Sequence, residues 1–165
     1  MRTLTLLLAV TMVFSTAYTL TNVSGTITKD STWNRAGSPY IVTGSVTVNN
    51  PFQLTVDSGV VVRFTAGTYL YINGALQARQ ATFTSQKDTA GGSPNKGDWA
   101  SINFAGGATS VTLDTCQIKY GGGTAMINGS VGTATFRNCS VLNSGTWGLS
   151  LTATTISLLN STISN

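Results

Sequence analysis

The chain contains no histidine and no glutamate, and aspartate supplies all five of its acidic side chains. Histidine and paired carboxylates are the usual general acids and bases, and glycoside hydrolysis needs two carboxyl groups about 5 to 9.5 Å apart. The aspartates are scattered, with no adjacent pair, at Asp30, Asp57, Asp88, Asp98 and Asp114. We therefore predict no catalytic residues in this chain.

Charge is scarce as well. Charged residues make up 8% of the 165 residues, against about a quarter in an ordinary globular domain. The nine lysines and arginines give a net charge of +4 but form no run or stripe. A nucleic-acid interface requires a basic patch of that kind, so no nucleic-acid partner is expected. Beyond the N-terminus no apolar stretch is long enough for a membrane span.

The N-terminal segment has the organisation of a secretory signal. Arg2 provides a positive start, residues 4–14 are mainly apolar, and small residues follow at 15–17. This pattern predicts a signal peptide over residues 1–17 that is removed after Ala17. The mature protein would then be secreted or displayed at the cell surface.

A short pattern occurs three times in the last third of the chain. It spans residues 111–118, 134–141 and 156–163, so its copies begin at nearly equal intervals. A nearly fixed period of about 22 residues predicts a solenoid in which each coil stacks on the one before. Three apolar positions per coil suggest three faces and a triangular cross-section.

Stacking at this period predicts ladders of equivalent residues. The interior ladders are Leu113, Phe136 and Leu158; Ile118, Val141 and Ile163; and Phe104, Ile127 and Leu149. A polar ladder of Thr115, Asn138 and Asn160 falls at the bend between the first two. Asparagine tolerates the left-handed conformation that a sharp bend needs, and stacked amides can bond along the ladder.

The two cysteines, Cys116 and Cys139, occupy the same position in successive repeats. One strand spacing, about 4.8 Å, lies within the range of a disulfide. Side chains on neighbouring parallel strands point the same way, however, which suits the disulfide torsion poorly. Stacked free thiols in the core are therefore favoured over a disulfide.

A second, shorter step is suggested upstream. Leu54 and Val56 map onto Leu70 and Ile72, with turn residues following both pairs. We assign residues 18–40, which have few apolar positions, to an N-terminal cap, because an open solenoid end exposes unpaired strand edges. Residues 41–165 are assigned to the solenoid, with about 5–6 coils.

Residues 85–99 interrupt the apolar pattern and are predicted to form an extruded loop. Asp88 and Asp98 bracket it, and closure of its ends would let both carboxylates approach a calcium ion. The neighbouring Lys87 and Lys96 favour a solvated loop without a cofactor. Trp99, at the base of the loop, is a candidate for stacking on a sugar ring, although packing inside the protein is favoured.

Two further surface features bear on ligand binding. Additional candidates for sugar stacking are Trp33, Trp147, Tyr69, Tyr71 and Tyr120, although the favoured interpretation is that Trp33 seals the cap and that the others lie on the coil surface without a ligand. A flat Thr-x-Thr face could bind ice, but the pairs at 26–28, 82–84 and 133–135 are separated by more than two repeat periods. Such separations do not place them on successive coils, which argues against an ice-binding array.

Several segments resemble the pectin-lyase-like superfamily. The Asn-Cys-Ser-Val and Asn-Ser-Thr-Ile segments at 138–141 and 160–163 look like its generic coil, and segments at 38–44, 54–64, 72–78, 83–88 and 97–99 resemble the N-terminal part of large secreted bacterial surface proteins. The resemblance implies an all-β, right-handed single-stranded parallel β-helix with an N-terminal cap. Enzymes of the superfamily act on acidic polysaccharides.

The resemblance and the composition together imply a secreted or cell-surface scaffold with a structural or adhesive role. Polysaccharide or cell-surface glycans are the implied partners, contacted along a lateral sheet face. The chain stops at Asn165 just after an expected strand, with no cap, which predicts either dimerisation through that end or, as the favoured alternative, downstream domains of a longer parent protein. The alternative is a fragment of a polysaccharide lyase or glycoside hydrolase whose catalytic coils lie downstream.

Overall fold

The computed structural model describes residues 20–165, and the predicted signal peptide lies outside the described residues. One short 3₁₀ helix, Arg35–Gly37, accompanies the strands. In this part of the chain no helix has the length and apolar character needed to cross a bilayer. The strands are β1 (Thr21–Ile27), β2 (Ser31–Trp33), β3 (Tyr40–Val48), β4 (Gln53–Val56), β5 (Val61–Phe64), β6 (Leu70–Ile72), β7 (Ala75–Arg79), β8 (Thr82–Ser85), β9 (Ile102–Asp114), β10 (Gln117–Lys119), β11 (Ala125–Arg137), β12 (Ser140–Leu142), β13 (Trp147–Leu159) and β14 (Thr162–Ser164).

The strands form three parallel stacks that run the length of a β-solenoid, because each strand pairs with the equivalent strand of the next coil. The longest strands bend and contribute to two stacks. Stack 1 contains the first part of β1 and of β3, then β5, β8, β10, β12 and β14. Stack 2 contains the second part of β1 and of β3, then β6 and the first parts of β9, β11 and β13. Stack 3 contains β2, β4, β7 and the second parts of β9, β11 and β13.

The solenoid has about seven turns rather than the predicted 5–6. The additional turn includes β1, which pairs in parallel with β3, and β2, which pairs with β4. These strands lie in the segment that the sequence assigned to the cap. Their repeat was not visible in the sequence because residues 21–33 contain few apolar side chains, chiefly Val23, Ile27 and Trp33.

The core lies between the three stacks and is built from in-register rows. The predicted ladder of Leu113, Phe136 and Leu158 is confirmed, and it extends upstream through Ala78 and Val56. The ladder of Ile118, Val141 and Ile163 is also confirmed. Successive side chains of a strand alternate between the two faces of the sheet, so an apolar residue at every second position closes each coil around one continuous core.

Two predicted registers are wrong. The structure pairs Leu54 with Leu76, at the full coil period, rather than with Leu70 at the shorter predicted step. Leu54 lies on stack 3 and Leu70 on stack 2, so the sequence matched two faces of the solenoid instead of two coils. On stack 2, Ile127 pairs with Ile102 and Leu149, and Phe104 pairs with Gly129. The step from Ile127 to Leu149 in the third predicted ladder is therefore confirmed, and only Phe104 was misplaced, because Ile102 occupies its predicted position.

The bend between stacks 3 and 1 uses a left-handed residue in each coil. Thr115, Asn138 and Asn160 have φ angles of 56°, 52° and 48°, as the polar ladder predicted. Gly59 and Gln80 occupy the same bend in earlier coils, with φ angles of 79° and 47°. Successive bends are joined by backbone bonds such as Thr115 N–H to Arg137 O at 2.7 Å. The backbone, rather than the expected stacked amides, connects these positions.

Both cysteines follow this bend and face the core. Cys116 and Cys139 are buried free thiols, and their sulfurs donate to the carbonyls of Asp114 and Arg137 at 3.4 and 3.2 Å. A hydrogen bond shared with the Cys139 thiol, together with burial, raises the pKa of Cys116. The Cys116 thiol is therefore held in its neutral form.

The core ladder provides a matched pair of substitutions. Leu113→Ala should lower the free energy of unfolding by about 2–5 kcal/mol, because it leaves a cavity among fully packed side chains. Leu158→Ala on the same ladder should cost about half as much or less, because Leu158 is 46% exposed. Urea unfolding monitored by circular dichroism measures both, and equal losses would contradict the assigned packing.

The left-handed bend offers a second test. Thr115→Asn should raise the free energy of unfolding by up to about 1 kcal/mol, because asparagine tolerates positive φ better than a β-branched residue. Thr112→Asn, at an exposed strand position shortly before the bend, should instead be neutral or destabilising. The midpoint in urea should therefore rise for Thr115→Asn and should not rise for Thr112→Asn, and an equal change in both variants would contradict strain at the bend.

Candidate functional site

Asp98 fastens the predicted loop to the body of the solenoid. The chain between Ser85, at the end of β8, and Ile102, at the start of β9, contains no strand. The Asp98 carboxylate accepts hydrogen bonds from Ser85 Oγ at 2.7 Å and from the backbone N–H of Asn95 at 2.9 Å. Its second oxygen pairs with Lys87 Nζ at 2.7 Å. The side chain is 8% exposed, so this carboxylate is a structural anchor.

The Asp88 carboxylate also contacts a hydroxyl group and a lysine, but its lysine belongs to a different coil. It accepts a hydrogen bond from Thr84 Oγ1 at 2.7 Å and pairs with Lys119 Nζ at 3.0 Å. Lys119 lies on β10, in the coil that follows the loop. The sequence indicated that Lys87 and Lys96 disfavour calcium at this loop; Lys87 does pair with Asp98, but the partner of Asp88 is distant in sequence and was not visible. Stacking of β8 on β10 brings Lys119 to the site.

The Asp88 and Asp98 carboxylates are surrounded by hydrogen-bond donors, which do not suit a calcium ion. Calcium takes six to eight oxygen ligands, whereas Asp88 and Asp98 already accept bonds from hydroxyl, amide and ammonium groups. Within residues 20–165, no three acidic, histidine or cysteine side chains are grouped as metal ligands. We therefore do not propose a metal at this loop.

The same contacts decide the ionisation of the two carboxylates. Burial opposes the charged form of Asp98, but the bonds from Lys87, Asn95 and Ser85 outweigh it and hold the pKa of Asp98 below its usual range. Burial is likewise the largest influence on Asp88, yet Thr84 and Lys119 hold the pKa of Asp88 below its usual range. Both groups are consequently anionic at neutral pH.

Trp99 is a core residue and not a ligand platform. Its ring stacks on Phe64 with a centroid separation of 4.1 Å and an interplanar angle of 11°. The indole N–H donates to the carbonyl of Lys119 at 2.8 Å. Only 1% of the residue is exposed, so no ring face is available to a sugar. This corrects the prediction that Trp99 contacts ligand and agrees with the favoured alternative of packing at the loop base.

Exposed aromatic side chains occur instead on the outer surface of stack 2. Tyr69 is 41% exposed and Tyr71 is half-buried, and their rings meet edge to face at 6.3 Å. Trp147, by contrast, is 72% exposed on β13 in a later coil. The tyrosine pair therefore forms the only aromatic cluster that faces outward among the ring contacts of residues 20–165.

A row of polar side chains continues from Tyr71 along the solenoid axis. The in-register members of this row are Thr47, Tyr71, Asn103, Asn128 and Ser150. The side-chain amide of Asn103 donates to that of Asn128, which donates in turn to the Ala125 carbonyl at 2.8 Å. We call this row, with Tyr69, the tyrosine face. The sequence did not reveal it, because its members lie a coil or more apart and differ in chemistry.

Stack 3 carries a second, hydroxyl-rich outer surface. Paired hydroxyl side chains are in register on three successive coils: Ser110 and Thr112, Thr133 and Thr135, and Thr155 and Ser157. Thr133 and Thr135 were considered in the sequence only with the distant pairs at 26–28 and 82–84, and their in-register neighbours were missed because each neighbouring pair contains one serine. The regularity does not extend upstream, where Ala75 and Gln77 occupy the equivalent positions.

No family model, curated protein or solved structure matches the chain in the comparisons made with them. The structure shows a parallel β-solenoid, which is consistent with a β-helix, and the relation to the pectin-lyase-like superfamily stays a prediction from the sequence.

The anchored loop predicts a defined response to acid. Because the folded-state pKa of Asp98 lies below the ordinary value of 3.8, its stabilising contribution is complete above that value and is lost as pH falls through the folded pKa. In the Lys87→Ala variant, loss of the ion pair lets the folded-state pKa of Asp98 rise toward its ordinary value, so this variant should be less stable at pH 7 and should lose less stability on acidification. Lys96→Ala, in the same loop, should follow the wild type. Urea midpoints between pH 7 and pH 3 measure this, and identical curves for both variants would contradict the anchor.

Proposed function

We propose that this chain is a secreted or cell-surface scaffold with a structural or adhesive role, and that it contacts carbohydrate along a lateral sheet face without catalysing a reaction. The observation that carries the proposal is the tyrosine face on stack 2, where two outward tyrosines adjoin a row of hydroxyl and amide side chains. The sequence of residues 1–17, with the form of a signal peptide, supports export.

The chemistry of the tyrosine face suits a glycan. Aromatic rings offer a large apolar surface with a polar tip, which complements the C–H face of a pyranose ring, while amides and hydroxyls bond its hydroxyl groups. Tyr71 and Asn103 are in-register neighbours, so the ring and the amide act on adjacent parts of one ligand, about 4.8 Å apart. A chain of sugars laid along the solenoid axis would meet both.

The rigidity of the scaffold also favours this role. The backbones that carry Tyr71 and Asn103 are fixed by ladder bonds on both sides, and the side chains Leu70 and Ile72 beside Tyr71 are fully buried. A surface that is ordered before binding loses little conformational freedom when a ligand docks, which is the benefit of preorganisation. A solenoid thus provides an extended lateral face on which weak contacts can add.

The tyrosine face can be tested by glycan binding. The mature protein should be retained by at least one polysaccharide in an immobilised panel of dextran, mannan, xylan, chitin and peptidoglycan. Tyr69→Ala and Tyr71→Ala should each weaken binding about tenfold, because about 1.4 kcal/mol of stacking and burial is removed. Retention by none of the panel, or full retention of both variants, would overturn the proposal.

A matched control separates the tyrosine face from exposed aromatic surface in general. Trp147→Ala removes the most exposed aromatic side chain of residues 20–165 and should leave the affinity unchanged. Tyr69→Phe keeps the ring and should retain most of the binding. Circular dichroism of each variant should match the wild type, because all three positions lie at the surface.

A further inference from the structure

Three arginines from successive coils surround the bend at Gly59. Arg35 belongs to the 3₁₀ helix of the first coil, Arg63 to β5 of the second and Arg79 to β7 of the third. The Arg35 side chain lies across the bend, with Cδ and Nε 3.6 Å from where a β carbon at Gly59 would be. These are ordinary van der Waals distances, so the Arg35 side chain packs against the backbone of the bend, whose left-handed conformation favours glycine.

Two cavities open on either side of Arg35. The larger, of about 460 Å³, is lined on stack 3 by Arg35, Thr55, Asp57, Ser58, Gln77 and Arg79. The smaller, of about 320 Å³, is lined on stack 1 by Arg35, Ser38, Pro39, Gly59, Val61 and Arg63. Arg35 borders both cavities, with Arg79 beside it in the larger and Arg63 in the smaller, and we call the two adjoining cavities the arginine corner.

The guanidinium groups of the arginine corner are not neutralised by neighbouring carboxylates. Both ion pairs formed within residues 20–165 use lysines of the loop region, Lys87 and Lys119. Arg63 Nε is buried without a hydrogen-bond partner from the described residues. A buried polar group without a partner in a folded protein calls for an explanation.

The neighbouring carboxylates are engaged elsewhere. Asp114 is the register partner of Arg79, but it accepts a hydrogen bond from Thr115 Oγ1 at 2.9 Å and lines neither cavity. Asp88 feels the charge of Arg63, but its ion pair is with Lys119. Only Asp57 places a carboxylate among the lining residues. Three arginines and one aspartate give the site a net charge of +2.

Neutral donors complete the larger cavity. The amide of Gln53 donates to Thr55 Oγ1 at 3.1 Å and to Gln77 Oε1 at 3.3 Å. These bonds use the acceptor oxygens of Thr55 and Gln77, so the hydroxyl proton of Thr55 and the NH₂ group of Gln77 remain to donate to a ligand. A site with guanidinium, hydroxyl and amide donors, and with a net positive charge, is suited to an oxyanion.

We propose that the arginine corner binds a dianionic oxyanion of the phosphate monoester type. A phosphate monoester carries about −1.5 to −2 charges at pH 7 and three acceptor oxygens, which matches the net charge and the several donors of the site. The ligand is either free phosphate or a phosphorylated sugar. The site lies on stacks 1 and 3, away from the tyrosine face on stack 2, and does not depend on the function proposed for that face.

Isothermal titration calorimetry of the mature protein tests the site. The probes are inorganic phosphate, glucose 6-phosphate, glucose 6-sulfate and glucose at one ionic strength and pH 8. We expect one or both phosphates to bind at least about tenfold more tightly than the singly charged sulfate ester, and glucose not to bind. If glucose 6-phosphate binds more tightly than inorganic phosphate, the ligand is a phosphorylated sugar. If inorganic phosphate binds more tightly, the ligand is free phosphate.

Arginine variants locate the binding. Arg35→Ala and Arg63→Ala should each weaken phosphate binding by about tenfold or more, and Arg63→Lys should restore only part of it, because lysine keeps the charge without the planar fork. Arg137→Ala, an exposed arginine of a later coil, should have no effect. Variants whose near-ultraviolet circular dichroism and melting temperature equal those of the wild type remain folded. If Arg63→Ala does not fold, Arg63→Lys takes its place in the binding test.

Three results would overturn the proposal: no phosphate binding, equal affinity for the phosphate and sulfate esters, or equal loss in Arg137→Ala. The Tyr69→Ala and Tyr71→Ala variants distinguish the arginine corner from the tyrosine face, because both should bind phosphate as the wild type does. Failure of glycan binding with intact phosphate binding would then count against the tyrosine face alone, and the opposite result against the arginine corner alone.

Discussion

In-register stacking of parallel strands is the constraint on which the whole structure depends. Each coil is joined to its neighbours by backbone ladders on three stacks, and a shift by one residue would exchange every inward side chain for an outward one. Rows such as Leu113 with Phe136 therefore remain inside through successive coils. The bend residues must conform as well, which is why asparagine and glycine recur at positive φ between stacks 3 and 1.

The same constraint organises the surface. An outward position in one coil is outward in the next, so polar side chains form rows, as between Asn103 and Asn128 on stack 2. The loop after β8 departs from the coil period, and its carboxylates are tied to lysines that hold it against the body. At the arginine corner, in contrast, three cations of successive coils meet with one carboxylate. Ligand-binding potential thus lies on the lateral faces rather than in the loop.

Different parts of the fold were predictable to different degrees. The repeats containing Leu113 and Phe136 were visible because both apolar and polar positions recur at nearly constant spacing. The shorter upstream step failed because Leu54 with Val56 and Leu70 with Ile72 have the same alternation on different stacks. Alternation alone reports that a strand has a buried face, but not which of three equivalent stacks it joins.

Local periodicity and residue conformation were enough to specify the strand-rich solenoid, the two downstream core ladders and the left-handed bends. The burial of Trp99 and the pairing of Lys119 with Asp88 followed only from the assembled fold. The tyrosine face and the arginine corner arose in the same way. These features join residues of different coils that show no repeated pattern in the sequence, and only the register of the stacked backbones brings such residues together.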